Sequence, residues 1–283
     1  MQADQQRSML FVTAVLRTIT ASKLLTLGML NHQTERGIVV ADTRDKTMKT
    51  LRIKKYHAYA DSLYGDVLSH CKKPETRESR YTNVHETSHY ISSEIRQTQK
   101  RGTNAFYILD GEAVVIEEPS ITIKDVAEYV PPKLQGLRYK TYLIDQRKYW
   151  NEQPLYILDE WNAYVLGGLC AVDDYNNKRK LEKTDALAGM FEFMIYSTAL
   201  AMCVKDKCPE YWENNTQFRE FMSFRIDTVN MVLMINREIP EFKSISHDKL
   251  YDVWHNSTEG KRFQKFIDDF LTDEPIKLGF NYL

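Results

Sequence analysis

The chain has 283 residues, of which 43% are hydrophobic and 27% charged, and its formal net charge is −1. That is enough apolar side chain for one large domain or two small ones. It gives no electrostatic case for a nucleic acid or an anionic membrane surface as partner. Four cysteines, Cys71, Cys170, Cys203 and Cys208, are too few for a disulfide framework, and no C-x-x-C pair exists to build a cysteine zinc site. Cys203 and Cys208 are close enough to bridge in an oxidising compartment, or to be one core thiol and one loop thiol.

Taken in chain order, residues 8–30 carry one apolar face at helical spacing, and residues 37–41 read as a short strand. Residues 51–57 alternate at their start and predict a partner strand, and residues 59–71 a further helix. Residues 72–80, charged and holding Pro74, read as a surface loop. A helix is then expected over about 83–99, capped by Thr82 or Asn83 and ended by Gly102. Phe106–Leu109 and Glu112–Ile116 flank Asp110-Gly111, a strong two-residue hairpin signal. Residues 121–129 suggest a short helix, and residues 137–149 are amphipathic and aromatic. From Pro154 onward the pattern is helical: 154–166 ending at Gly167-Gly168, then 185–204, 216–237, 246–254 and 258–271. The stretch 185–204 approaches the length of a membrane span. Glu192, Ser197 and Thr198 interrupt it, so a buried central helix is the expectation.

Residues 84–91 read Val-His-Glu-Thr-Ser-His-Tyr-Ile. His85 and His89 stand four apart, which puts both imidazoles on one helical face, where two nitrogens can meet one ion. Glu86 points about 100° round the helix, within reach of a water at that ion. The bland alternative is an exposed polar helix with two incidental histidines. The uncharged interior of the motif, Thr87 and Ser88, suits a buried helix better.

At this point the sequence resembles the zincin metallopeptidases, whose extended signature is matched by Thr82, Val84, Thr87, Ser88, Tyr90 and Ile91. A catalytic zinc takes three protein ligands and keeps one open position. Here the resemblance sharpens toward the glutamate zincins, where a downstream helix supplies Glu followed three places later by a small residue; Glu160 and Ala163 fit. Many members of that group place an Asp four residues after the Glu to orient a histidine, and this chain has Tyr164 there. Asp159 and Glu192 are alternative third ligands. The resemblance implies Zn2+ as cofactor, a peptide or protein as substrate, and Glu86 as general base. It also implies a donor to the tetrahedral oxyanion, for which Tyr149, Tyr156 and Tyr164 are open candidates. An edge strand for an extended substrate is expected at 37–41 or 51–57, or at the hairpin.

The expected fold class is α+β: a small, mainly antiparallel sheet with the motif helix packed on it, followed by a mostly helical lobe that supplies the glutamate. The expectation is one catalytic unit with lobes at about 1–150 and 151–283. Two readings compete with a peptidase: a non-catalytic binding protein of the same fold, and a helical interaction protein with a coincidental motif. The last predicts His85 and His89 facing solvent, away from any carboxylate. No clear signal peptide is visible, so a soluble chain is expected, cytoplasmic by default and periplasmic or secreted if the N-terminus is a processed one. No feature fixes the oligomeric state.

Overall fold

A computed structural model describes residues 48–273, apart from 61, 78, 237, 238, 240, 241, 243 and 244. The helix expected over 8–30 and the strand over 37–41 lie outside the described residues. Strand β1 (Thr50–Arg52) precedes helices α1 (Leu63–Ser69) and α2 (Arg80–Thr98). The hairpin β2 (Thr103–Leu109) and β3 (Glu112–Glu117) follows, then α3 (Ile123–Tyr129), a 3-10 turn at Pro132–Leu134, a π-helical stretch at Lys140–Asp145, and α4 (Arg147–Trp150). The rest is helical: α5 (Tyr156–Asn176), α6 (Ala186–Lys207), α7 (Pro209–Asn214), α8 (Thr216–Asn236), α9 (Ile245–Asn256) and α10 (Thr258–Asp273). The class is α+β, as expected, with an antiparallel sheet of order β1-β3-β2.

The hairpin turns where expected. Asp110 and Gly111 both have positive φ, 54° and 68°, the geometry a two-residue turn between right-twisted strands demands. A register shift between Tyr107 and Leu109 bends β2. The partner strand is shorter than its predicted range: only Thr50–Arg52 pair with β3, and all three are exposed at the sheet edge.

Tyr107 of β2 ties the sheet to two helices. Its N–H donates to Ser92 Oγ of α2 at 3.3 Å, and its carbonyl accepts from Asn162 Nδ2 of α5 at 2.9 Å. Helices α2 and α5 therefore rest on the same strand. They run antiparallel, pinned at one end by Arg80, whose Nε and Nη2 reach the buried Asp174 carboxylate at 3.0 and 3.1 Å.

Gly167-Gly168 predicts a helix end after residue 166, and the structure corrects this: α5 continues to Asn176. Both glycines are buried, and a Cβ on Gly167 would sit 3.3 Å from the Tyr81 carbonyl of α2. The glycine is there for close approach of two backbones, and burial offsets its poor helix propensity. Helix α6 is long and apolar enough to cross a membrane, and 94% of its apolar window is buried by the other elements. Cys203 and Cys208 are both free thiols, so the bridge considered for an oxidising compartment is not formed.

Half-buried Glu118 fastens the end of the hairpin to the start of α5, accepting the Leu155 N–H at 2.9 Å. Burial pushes its carboxyl up to about 7. The folded chain thus holds this proton more tightly than the unfolded chain, whose glutamates titrate near about 4.3. This contribution to stability is full below the unfolded value and is lost as pH rises through the folded one. Glu118→Gln is expected to flatten the stability profile across that window, which urea midpoints at several pH values would read.

Candidate metal centre

Helix α2 begins at Arg80 because Ser79 caps it, its side chain accepting the Thr82 N–H at 3.4 Å. Asn83, expected as a cap, is buried instead and bonds back to the preceding loop, accepting the Arg77 N–H at 2.5 Å and donating to the Arg77 carbonyl at 3.0 Å. The loop is thereby folded over the first turns of the helix, and Arg77 Nη1 comes to 3.6 Å from Glu86 Oε1.

One turn on, the two histidines meet. His85 Nε2 and His89 Nε2 are 3.2 Å apart. Glu160 comes in from α5, with Oε2 at 3.8 Å from His85 Nε2 and Oε1 at 3.7 Å from His89 Nε2. One ligand atom from each of the three lies within 4.8 Å of the others. A tetrahedral ion with bonds of about 2.0–2.1 Å spaces its ligand atoms about 3.3 Å apart. The nitrogens already stand at that spacing, and the carboxylate, which faces each histidine through a different oxygen, must close further to seat one ion.

The donor set fits a cation on a second ground. Glu160 is buried, and its Oε2 accepts no hydrogen bond in the described structure, while Oε1 takes one from the Tyr156 hydroxyl at 2.8 Å. A buried carboxylate oxygen with nothing to accept is costly, and a cation there would satisfy it.

Titration properties agree with the geometry. Burial, then the neighbouring His89, lowers the His85 pKa to about 3, against the pull of Glu160. Burial also lowers His89, but the Asp159 and Glu160 carboxylates overcome it and hold that ring well above its usual pKa. Burial raises Glu160, and His89 and His85 outweigh it, leaving the carboxyl below its usual value. His85 is therefore the neutral ring and His89 the one that favours the cationic form, so a metal binding at His89 Nε2 must displace a proton.

One role in the motif is vacant, since Tyr164 stands where an orienting Asp is expected. Asp159 fills it. Its Oδ2 lies 2.9 Å from His89 Nδ1, fixing the ring so that Nε2 faces His85 and Glu160. This also removes Asp159 as the third ligand, because it serves the far nitrogen. Glu192 is removed as well. It accepts the Arg138 N–H at 2.5 Å, Arg138 Nη1 at 3.1 Å and the Tyr196 hydroxyl at 2.5 Å, away from the histidines. The available signal for Asp159 was an acidic pair inside an otherwise apolar stretch, Ile157-Leu158-Asp159-Glu160-Trp161. Asp159→Asn is expected to weaken metal binding by about 10–100-fold, as outer carboxylate partners generally do. A competitive chelator titration reads it, and unchanged affinity would show that the contact does not orient the ligand.

The three tyrosines separate cleanly. Tyr149 is 67% exposed, and Tyr156 is engaged with Glu160. Tyr164 packs edge-on against His85, with ring centroids 4.5 Å apart. Its hydroxyl oxygen accepts from Arg138 Nε at 3.1 Å. That bond comes to the oxygen, so the hydroxyl proton is left to donate. Arg138, which no motif marked, thus holds the phenol.

His85 and His89 have side chains only 16% and 20% exposed and share a carboxylate, contrary to what a coincidental motif predicts. Comparison of the chain with protein-family models, with curated proteins and with solved structures finds no match.

Proposed function

We propose that this chain is a zinc-dependent metallopeptidase that hydrolyses peptide bonds with a water activated at His85, His89 and Glu160. The observation that carries the reading is the arrival of Glu160 from α5 opposite the two histidines of α2, with Asp159 on the far nitrogen of His89. Three protein ligands leave one position open, as in catalytic rather than structural zinc sites.

A zinc ion held there supplies Lewis acidity, polarising the scissile carbonyl and acidifying a water. The remaining chemistry belongs to the chain. Glu86 accepts the proton from the attacking water on its carboxylate and delivers it to the departing amine nitrogen. Asp159 holds the His89 ring in place throughout. The Tyr164 hydroxyl donates to the carbonyl oxygen as negative charge builds there, while Arg138 holds the phenol from behind. Zinc is favoured over harder ions by a set of two imidazoles and one carboxylate.

A second reading, a metal-holding protein without catalysis, draws on one observation: Arg77 Nη1 lies 3.6 Å from Glu86 Oε1, a contact that engages the carboxylate the peptidase reading uses. Activity separates the two. The zinc-loaded chain is expected to generate new termini in a pool of unstructured peptides, read by mass spectrometry. A chelator should stop the reaction and added zinc restore it. A zinc-loaded chain that leaves every peptide intact would favour the second reading.

A further inference from the structure

Four buried hydrogen-bond donors outside the metal centre have no partner among the described residues: Trp161 Nε1 on α5, Ser197 Oγ on α6, and Ser223 Oγ and Arg225 Nε on α8. Trp161, Ser197 and Arg225 are each at most 1% exposed. Their placement brings them together. The Cβ position of Gly168 is 3.5 Å from Met190 Sδ and 3.7 Å from Val232 Cγ1, so these three residues form one layer between the helices. Trp161, Ser197 and Arg225 each lie seven positions from a member of that layer, two turns along the same face.

The steps run in one direction. Helices α5 and α8 are parallel, since Arg225 Nη2 donates to Asn162 Oδ1 just as Val232 meets Gly168. Helix α6 runs opposite to both, and its register with α5 is fixed midway by Tyr164 stacked on Phe193 at 5.4 Å. The three residues therefore share one level of the core.

That level holds a positive charge without a counter-charge. Among the described residues no carboxylate acts on Arg225; burial lowers its pKa to about 9, so it stays protonated at neutral pH. Its one hydrogen-bond partner is the neutral Asn162, and rings of Phe221 and Phe224 flank it at 5.5 and 4.7 Å. A buried guanidinium left in this state is costly. Water would supply an acceptor but no charge. The group that answers every deficit is a small anion.

We propose that the core of this protein encloses one monovalent anion of the halide class, held by Trp161 Nε1, Ser197 Oγ and Arg225 Nε. It sits directly behind the ligand-bearing turn, because Trp161 follows Asp159 and Glu160 in sequence. The anion braces α5 whether or not the metal reading holds.

The test compares thermal unfolding of the full chain in sodium gluconate, chloride and bromide at equal ionic strength. The midpoint is expected to rise by several degrees in either halide and to keep rising with the logarithm of its concentration, as mass action on the folded state requires. Arg225→Met should abolish the increment. The milder Ser197→Ala and Trp161→Phe, which keep a packed core, should each reduce it. Crystals grown in bromide should give one anomalous peak among the three atoms. Equal midpoints in gluconate and halide, an increment untouched in all three variants, or a water in place of the bromide peak would each overturn the proposal.

Discussion

Replacing Glu86 by glutamine is expected to lower peptide hydrolysis on the order of 10²–10⁴-fold while leaving metal content unchanged. The two halves of this result come from different parts of the site. Glu86 lies outside the group of three that could hold an ion, so binding does not depend on it. Its carboxylate is the nearest acidic neighbour in sequence to both histidines, partly exposed and tethered only by the 3.6 Å contact to Arg77. Glutamine keeps the shape and loses the basicity, so substrate still binds and the proton has nowhere to go. Steady-state kinetics beside metal analysis of the same sample decide the matter. A fully active, metal-loaded variant would mean that another group takes the proton. A variant that loses metal would mean that Glu86 is itself a ligand.

Purified protein is expected to hold about one divalent ion per chain, and His85→Ala, His89→Ala and Glu160→Ala are each expected to lose it. The loss should exceed the roughly 10–100-fold that an outer-sphere change costs. Each substitution removes one of three groups whose ligand atoms lie within 4.8 Å of one another. Glu160→Ala is the most telling of the three, because the third ligand is the assignment with the widest choice at the level of sequence. Metal kept in Glu160→Ala but lost in His89→Ala would place the third donor elsewhere. Metal kept in all three variants, or absent from wild-type protein after zinc is added back, would remove the centre altogether.

What could be read from the chain was whatever depends on spacing along one element. The four-residue interval of His85 and His89, the Asp110-Gly111 turn and the apolar run of α6 are local patterns, and the structure contains each of them. Glu160 was legible through a motif on its own helix. What depends on two elements meeting was harder. Asp159 reaches His89 from one position before the ligand rather than four after it, and only the antiparallel packing of α5 on α2 makes that angle possible. Gly167 reads as a stop signal in one dimension and as a contact with Tyr81 in three. Arg138 lies at the start of an amphipathic, aromatic stretch in which nothing marks it out; its role exists because Tyr164, Asp185 and Glu192 converge on it.

The contact that orients His89 spans 70 positions of chain. In a protein made from its N-terminus at roughly 5–20 residues per second, the histidine pair precedes its carboxylates by roughly 4–14 seconds. During that interval the nascent chain offers an ion two nitrogens and no third donor, a much weaker trap. Strand β2, made in between, is the platform on which the late helix lands. Assembly of the centre is thus a timed event, and an unfinished chain carries the histidines of the site without the chemistry proposed for the whole.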